Sequence, residues 1–399
     1  MKQIFARGRR AKADRNPTKH KMLVVLAAAI FGSLLSGSLQ VQAADEITVT
    51  DLAGREVTLA APVKAIILGE GRYLPSIGIL DRDNPLQRIA GMMGDFELFD
   101  PAGYKQFADH FPKIDSIPRV GKNSAATMDI ESVAALMPDL AIFGLGGGHS
   151  PGEKHTDIIE KLEAAGIPVI FIDFRIEPLE NTPKSMRLLG KVMGRQTEAE
   201  DFLTFYREQL DKVAKRLEDI EDKPSVFMEL HVGLKPECCN SIGNQMLGRM
   251  VDFAGGKNIF ADAIPGSFAA VSVEELLVRQ PDIYIGSAIG SVLTADQFPK
   301  RIVLGSYADK AVAELTLAQI HERTGLKSLD AVKANRVHAI WHHFYNSPMH
   351  FALIQTMAKW FHPDLFADLS PEQSLTEFYH RFQPLPMNGT YWVSLGGGQ

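Results

Sequence analysis

The sequence predicts an α/β protein made of two lobes joined by one long helix. Three observations carry that reading. Short apolar runs alternate with amphipathic segments through the first part of the chain. A helical stretch of roughly forty residues begins near Thr182, and strand–helix alternation restarts at Lys223. Strand, helix and strand with short connections mean parallel α/β units.

Each element has a local reason. "EITVTDLAGREVTL" alternates apolar and polar residues around the turn "DLAGR", a hairpin signal, and "VKAIILG" follows as a buried strand. "DIESVAALMP" places apolar residues at helical spacing, "DLAIFG" is a buried strand, "EKHTDIIEKLEAAG" is an amphipathic helix stopped by glycine, and "IPVIFIDF" is another strand. In "QTEAEDFLTFYREQLDKVAKRLEDIED", Phe202, Phe205, Tyr206, Leu210, Val213 and Leu217 share one stripe of a helix. The stripe is too short for a coiled coil and suits a helix packed along the body. "KPSVFMEL" then opens a second series that runs through "VSVEELLVRQ", "PDIYIGS" and "KANRVHAIW" to two C-terminal helices. The expected organisation is a leader over 1–43, an N-terminal lobe over 44–195, a linking helix over 196–222 and a C-terminal lobe over 223–399. Both lobes are Rossmann-like, with a ligand cleft between them.

The leader is read from its order. Eight Lys or Arg and one Asp lie within the first 21 residues; then come the apolar run "MLVVLAAAIFGSLLSGSL" and the small-residue site "VQA". That order is a secretory signal cut after Ala43, so a periplasmic location is expected. Its removal shifts the net charge from −6 to about −13. An acidic exported chain is a poor candidate for nucleic acid or anionic membrane. Two cysteines exclude a disulfide scaffold.

Motifs for catalysis are sparse. The sequence holds no His-Glu-x-x-His and no Walker loop. "GLGGGH", Gly144 to His149, follows a strand, but the third glycine of a dinucleotide fingerprint falls at His149. Its glycines suit a tight turn or close approach of the backbone to a ligand. Polar and aromatic residues instead recur after the expected strands: Glu70, Arg72 and Tyr73; Asp173 and Arg175; Glu229, His231 and Lys235; Trp341, His342, His343 and Tyr345. Ligands of parallel α/β folds sit at the carboxyl ends of strands, and two facing lobes make a cleft there. Arginine forks onto carboxylates and phosphates, and aromatic rings stack on flat or cationic groups. Neighbouring histidines on a strand diverge, so His342 and His343 are not expected to share one ion; one of them with His231 or Glu229 is the alternative metal reading.

Seven segments, among them "ITVTDLAGREVTL", "MDIESVAALMPDLAIF", "MLGRMVDFAGGKNIF", "VSVEELLVRQPDIYI" and "AKWFHPDLFAD", together resemble the helix-linked periplasmic binding proteins of ABC importers. That group binds ferric siderophores, haem and vitamin B12. The resemblance implies a non-enzymatic monomer without a resident cofactor. Its ligand would be an iron(III) chelate, with Arg72, Tyr73, Arg175, His231, Trp341, His342, His343 and Tyr345 in the cleft. Haem or a corrinoid is the alternative, with His231, His342 or His343 as axial ligand. It also implies that Glu131 and Glu274 dock on a permease of the inner membrane. An exported metal-dependent hydrolase is the rival class. The adjacent pair Cys238 and Cys239 follows a strand of the second lobe. In an oxidising compartment a vicinal disulfide is one reading, although neighbouring Cα atoms lie only about 3.8 Å apart across a trans peptide, short of the usual bridge. Two free thiols, or a metal or redox role, are the others.

Overall fold

A computed structural model describes residues 45–146, 156–235 and 238–396. Residues 1–44, which include the expected leader, 147–155 of the glycine-rich segment, 236–237 and 397–399 lie outside the described residues. Strands β1 (Asp45–Thr50) and β2 (Glu56–Ala61) form the expected antiparallel hairpin. β3 (Ile66–Leu68), β4 (Ile89–Met92), β5 (Leu140–Gly144) and β6 (Val169–Ile172) make a parallel sheet in the order β4-β3-β5-β6. Every residue of β3 and β5 is buried. Both faces of that sheet are covered, which is why these strands read as unbroken apolar runs.

The second sheet comprises β7 (Ser225–Leu230), β8 (Asn240–Ile242), β9 (Lys257–Asn258), β10 (Phe268–Ala270), β11 (Ile283–Ala288), β12 (Val337–Trp341) and β13 (Trp392–Ser394). Its order is β10-β8-β7-β11-β12-β13, with β9 also paired to β7. β7, β11 and β12 are parallel. β8, β10 and β13 are antiparallel additions that the sequence pattern does not announce, because each is only three residues long.

The forty-residue helical stretch is two helices, Pro178–Met193 and Gln196–Leu217. Gly194 breaks them in the left-handed region, φ +66°, and a Cβ there would stand 3.0 Å from Pro62, so glycine fits both constraints. The linking helix therefore ends at Leu217 rather than reaching residue 222. Phe202, Phe205, Tyr206 and Val213 are buried, while Leu210 and Leu217 are half-buried. Phe202 and Phe205 meet Phe378 and Phe382, and Phe205 also meets Phe351 edge-on. Each such phenylalanine stabilises the fold by roughly 1.5–3 kcal/mol. One hydrophobic core runs through both sheets and this helix, and a smaller one fills the outer face of the first sheet. Among the described residues no helix is long and apolar enough to cross a membrane.

Candidate ligand-binding site

The carboxyl ends of the two sheets face each other. Glu70, after β3, has 1% of its surface exposed and organises the centre. It accepts hydrogen bonds from Tyr73 Oη (3.1 Å), Arg72 (3.2 Å), Arg175 (2.6 Å) and Asn346 Nδ2 of the opposite lobe (3.1 Å). Arg72 also donates to Asp95 (2.7 Å) and crosses to Tyr345 Oη (2.9 Å). The Tyr345 ring lies under both guanidiniums, at 5.9 Å from Arg72 and 5.0 Å from Arg175. Asp173 positions Arg175 by accepting three backbone N–H groups of the turn after β6 and the Asn181 amide. Arg175 Nε and Asn346 Oδ1 are buried without a hydrogen-bond partner among the described residues. A donor and an acceptor are thus left for a further group, since buried polar atoms are otherwise paired.

The histidines diverge, but from a 3-10 turn, His342–Asn346, rather than from a strand. His343 turns to the first lobe, with Nε2 3.0 Å from Phe99 O and Nδ1 3.4 Å from Arg72. The carbonyl needs a donor, which puts the ring proton on Nε2. His342 turns the other way: its Nδ1 is 2.7 Å from Ser287 Oγ and its Nε2 3.0 Å from His231 Nε2. Burial, then the neighbouring imidazoles of His231 and His343, hold His342 well below the usual histidine range. Trp341 packs edge-on to His343 and Tyr391. A cavity of about 110 Å³ is lined by His231, His342, Tyr345, Met246, Leu247 and Phe268, among others. A cleft about 20 Å³ in volume between the lobes touches Arg72, Trp341 and His343. A larger concavity, about 700 Å³, runs along β13 and the C-terminal helices. It gathers none of these converging arginines or histidines, so we place the site at the smaller cavities.

Glu229 departs from expectation. It lies inside β7, and its carboxylate is forked by Arg323 (2.6 and 2.6 Å) and capped by Tyr284 (2.5 Å). It serves as a buried ion pair rather than a cleft ligand. Cys238 and Cys239 are joined to each other, across a cis peptide, beside it. Phe268 and Ser287 were not singled out by the sequence. Phe268 sits on a three-residue strand and Ser287 within an apolar run, so only the pairing of strands reveals them. One Gly-x-Ser-x-Gly pattern occurs, at Gly148–Gly152. A nucleophile elbow needs the serine in a sharp strand-to-helix turn. That segment lies outside the described residues.

Glu131 and Glu274 occupy equivalent places in the two lobes. Each is exposed, in the first turn of the helices Ile130–Ala135 and Val273–Arg279, behind N-caps Asp129 and Ser272. Each segment then passes through a left-handed residue, Met137 or Gln280, to a Pro-Asp pair. Asp139 and Asp282 accept backbone N–H groups of Lys64 and Ala65, and of Ser225, at the start of the neighbouring strand. The same eleven-residue design therefore presents an exposed first-turn glutamate at the matching place in each lobe.

Buried imidazoles make stability depend on pH. Burial lowers His338 to about 3 and His350 to about 4. In the unfolded chain both titrate near 6.5. Their contribution is full above about pH 6.5 and is lost as pH falls, because the unfolded state then binds more protons. Asp100, raised to about 6 by burial, acts oppositely between about pH 6 and 4. Replacing His338 by Phe keeps the stack on Trp360 (4.2 Å). The stability gap between wild type and H338F should narrow by about 1.4 kcal/mol per pH unit below 6.5, read from urea midpoints. A constant gap would mean that His338 takes up its proton as readily in the fold as in the unfolded chain.

Two α/β lobes, parallel sheets whose carboxyl ends meet, and one helix between them define the TroA-like binding-protein fold. Agreement with known proteins goes further. A family model described as periplasmic binding protein matches residues 104–341, more than half of the chain. The TroA-like periplasmic binding protein FepB of Veillonella parvula is 30% identical, with 88% of this chain and 100% of that one covered at a TM-score of 0.77. The chain belongs to the periplasmic binding protein family, whose members bind solutes outside the cytoplasm and are not enzymes. Molybdate-binding MolA of Haemophilus influenzae shares the fold, at 18% identity, 86% and 99% coverage and a TM-score of 0.65. A cobalamin-binding protein of Halobacterium salinarum is 23% identical over 46% of this chain and 47% of its own length. The chain thus spans about half the length of the curated relatives it matches.

Proposed function

We propose that this protein is the substrate-binding component of an ABC importer, holds an iron(III) chelate between its lobes and delivers it to an inner-membrane permease. The leader 1–43 would send it to the periplasm, where it would act as a monomer. One observation carries the reading: Arg72 and Arg175, the rings of Tyr73, Trp341 and Tyr345, and the imidazoles of His231, His342 and His343 all gather at strand ends of two facing lobes. Iron(III) is a hard ion that takes oxygen donors. A chelator supplies those donors, so the protein needs only groups that recognise the outside of the complex. Glu131 and Glu274 would meet the permease. A haem or corrinoid is the second reading, favoured by the His231–His342 pair at a cavity wall and by the cobalamin-binding relative.

Titrating tryptophan fluorescence against ferric catecholates, ferric hydroxamates, ferric citrate, haem and cobalamin tests both. A ferric chelate should quench the emission, and Trp341→Phe should remove most of the quenching while leaving affinity within about threefold, because the ring is one wall among several. Binding of haem or cobalamin alone would overturn the iron reading.

A further inference from the structure

The arginines at the centre of the cleft are already matched by acids. Glu70 and Asp95 stand 2.6–3.2 Å from their guanidiniums, so little net positive charge is left there to attract an anion. Cations that form no ion pair among the described residues lie instead on the second lobe, near His231. Lys235 ends the turn after β7, four residues beyond His231, and so lies within about 14 Å of it along the chain. Lys300 and Arg301 belong to the long connection after β11. The two turns are locked together: Gly233, at φ +79°, lies so close that a Cβ would stand 2.2 Å from Lys300 O and 2.8 Å from Arg301 N. Lys235 and Lys300 are exposed and Arg301 is half-exposed, and none of the three forms an ion pair with a described residue. Arg301 Nε is buried with no hydrogen-bond partner, while its guanidinium lies 3.7 Å above the ring of Phe298. Apolar side chains stand among these cations: Phe298 is 40% exposed, Leu234 48% and Phe268 51%, and Phe268 also lines the histidine cavity.

We infer that Lys235, Lys300 and Arg301 form the anion-recognition rim of the cleft, and that the ligand is a negatively charged chelate with aromatic or apolar arms. This rests on the chelate reading above and deepens it. The metal centre would face the buried wall of His231, His342 and Tyr345, while acidic arms reach the rim cations and their rings cover Phe298, Leu234 and Phe268. In a chain of net charge −6, three neighbouring cations beside the cleft also steer an anion toward it.

Two ferric complexes that differ in charge provide the test: the anionic tris-catecholate of 2,3-dihydroxybenzoate and the neutral tris-hydroxamate of acetohydroxamate. The triple variant K235Q/K300Q/R301Q should bind the catecholate about tenfold more weakly and show a shallower salt dependence, with the hydroxamate changed less than about twofold. K235Q/K300Q, which leaves Arg301 on Phe298, should give an intermediate loss and an unchanged urea midpoint. Equal weakening of both complexes, or no weakening of the catecholate, would overturn the rim assignment while leaving the chelate reading in place. Unchanged binding with reduced uptake would assign the patch to the permease and also overturn it. If wild-type protein binds neither complex, the chelate reading fails and the rim proposal with it.

Discussion

Reversing both lobe-tip glutamates, E131K/E274K, should abolish uptake into cells while leaving affinity for the ligand in solution unchanged. Each glutamate is exposed and lies in the first turn of a helix, where the macrodipole favours an acid. A lysine there costs only about 0.3–1 kcal/mol, so the double variant should fold. Neither glutamate lines the small cavities at which the cleft residues gather, so the substitutions leave the binding groups in place. The repeated design in the two lobes presents the acids as a pair, which suits a partner with two matching cationic pockets. Single reversals should give partial loss, since each would leave one lobe docked. Uptake at the wild-type rate by the double variant would overturn the docking role. Loss of both uptake and ligand binding would mean that the substitutions disturb the fold.

Removal of Glu70 is expected to be the most damaging single change in the protein. Glu70→Ala would leave the Arg72 and Arg175 guanidiniums, the Tyr73 hydroxyl and the Asn346 amide without their shared acceptor. Breaking a buried ion pair from one side costs about 3–5 kcal/mol, because the partner charge stays buried and uncompensated. Glu70→Gln retains one acceptor oxygen and should cost less. Asp95 remains beside Arg72, so the larger share of the loss falls on Arg175, and Arg175→Met added to Glu70→Ala should recover part of it. Urea denaturation gives the readout. A loss under about 1 kcal/mol would show that both guanidiniums reach solvent without Glu70 and that the network is not what holds the lobes at the cleft.

Much of the candidate site was legible because strand ends are legible. Arg72, Tyr73, Arg175, His231 and Tyr345 each follow a recognisable apolar run, and one sheet rule places such residues together. Glu229 was grouped with the residues after its strand, but it lies inside β7, which extends to Leu230, and its carboxylate meets Arg323. Ser287 and Phe268 carried no local signal. One is a small polar residue in an apolar strand, and the other lies on a strand set only by pairing to β8. Arg323, ninety-four residues from Glu229 in sequence, could be matched to it only in three dimensions.

The sequence by itself determined the two α/β lobes and the helix between them, because hydrophobic period and turn residues act within a few residues of one another. It also determined which residues would crowd the strand ends. Only the tertiary structure decided which charges cancel. Glu70 and Asp95 take up the arginines that looked free, and Lys235, Lys300 and Arg301 form no ion pair among the described residues. Whether a cation is paired depends on atoms a few ångströms away in space and far apart along the chain, and the field of an ion pair falls off steeply once its two charges are in contact.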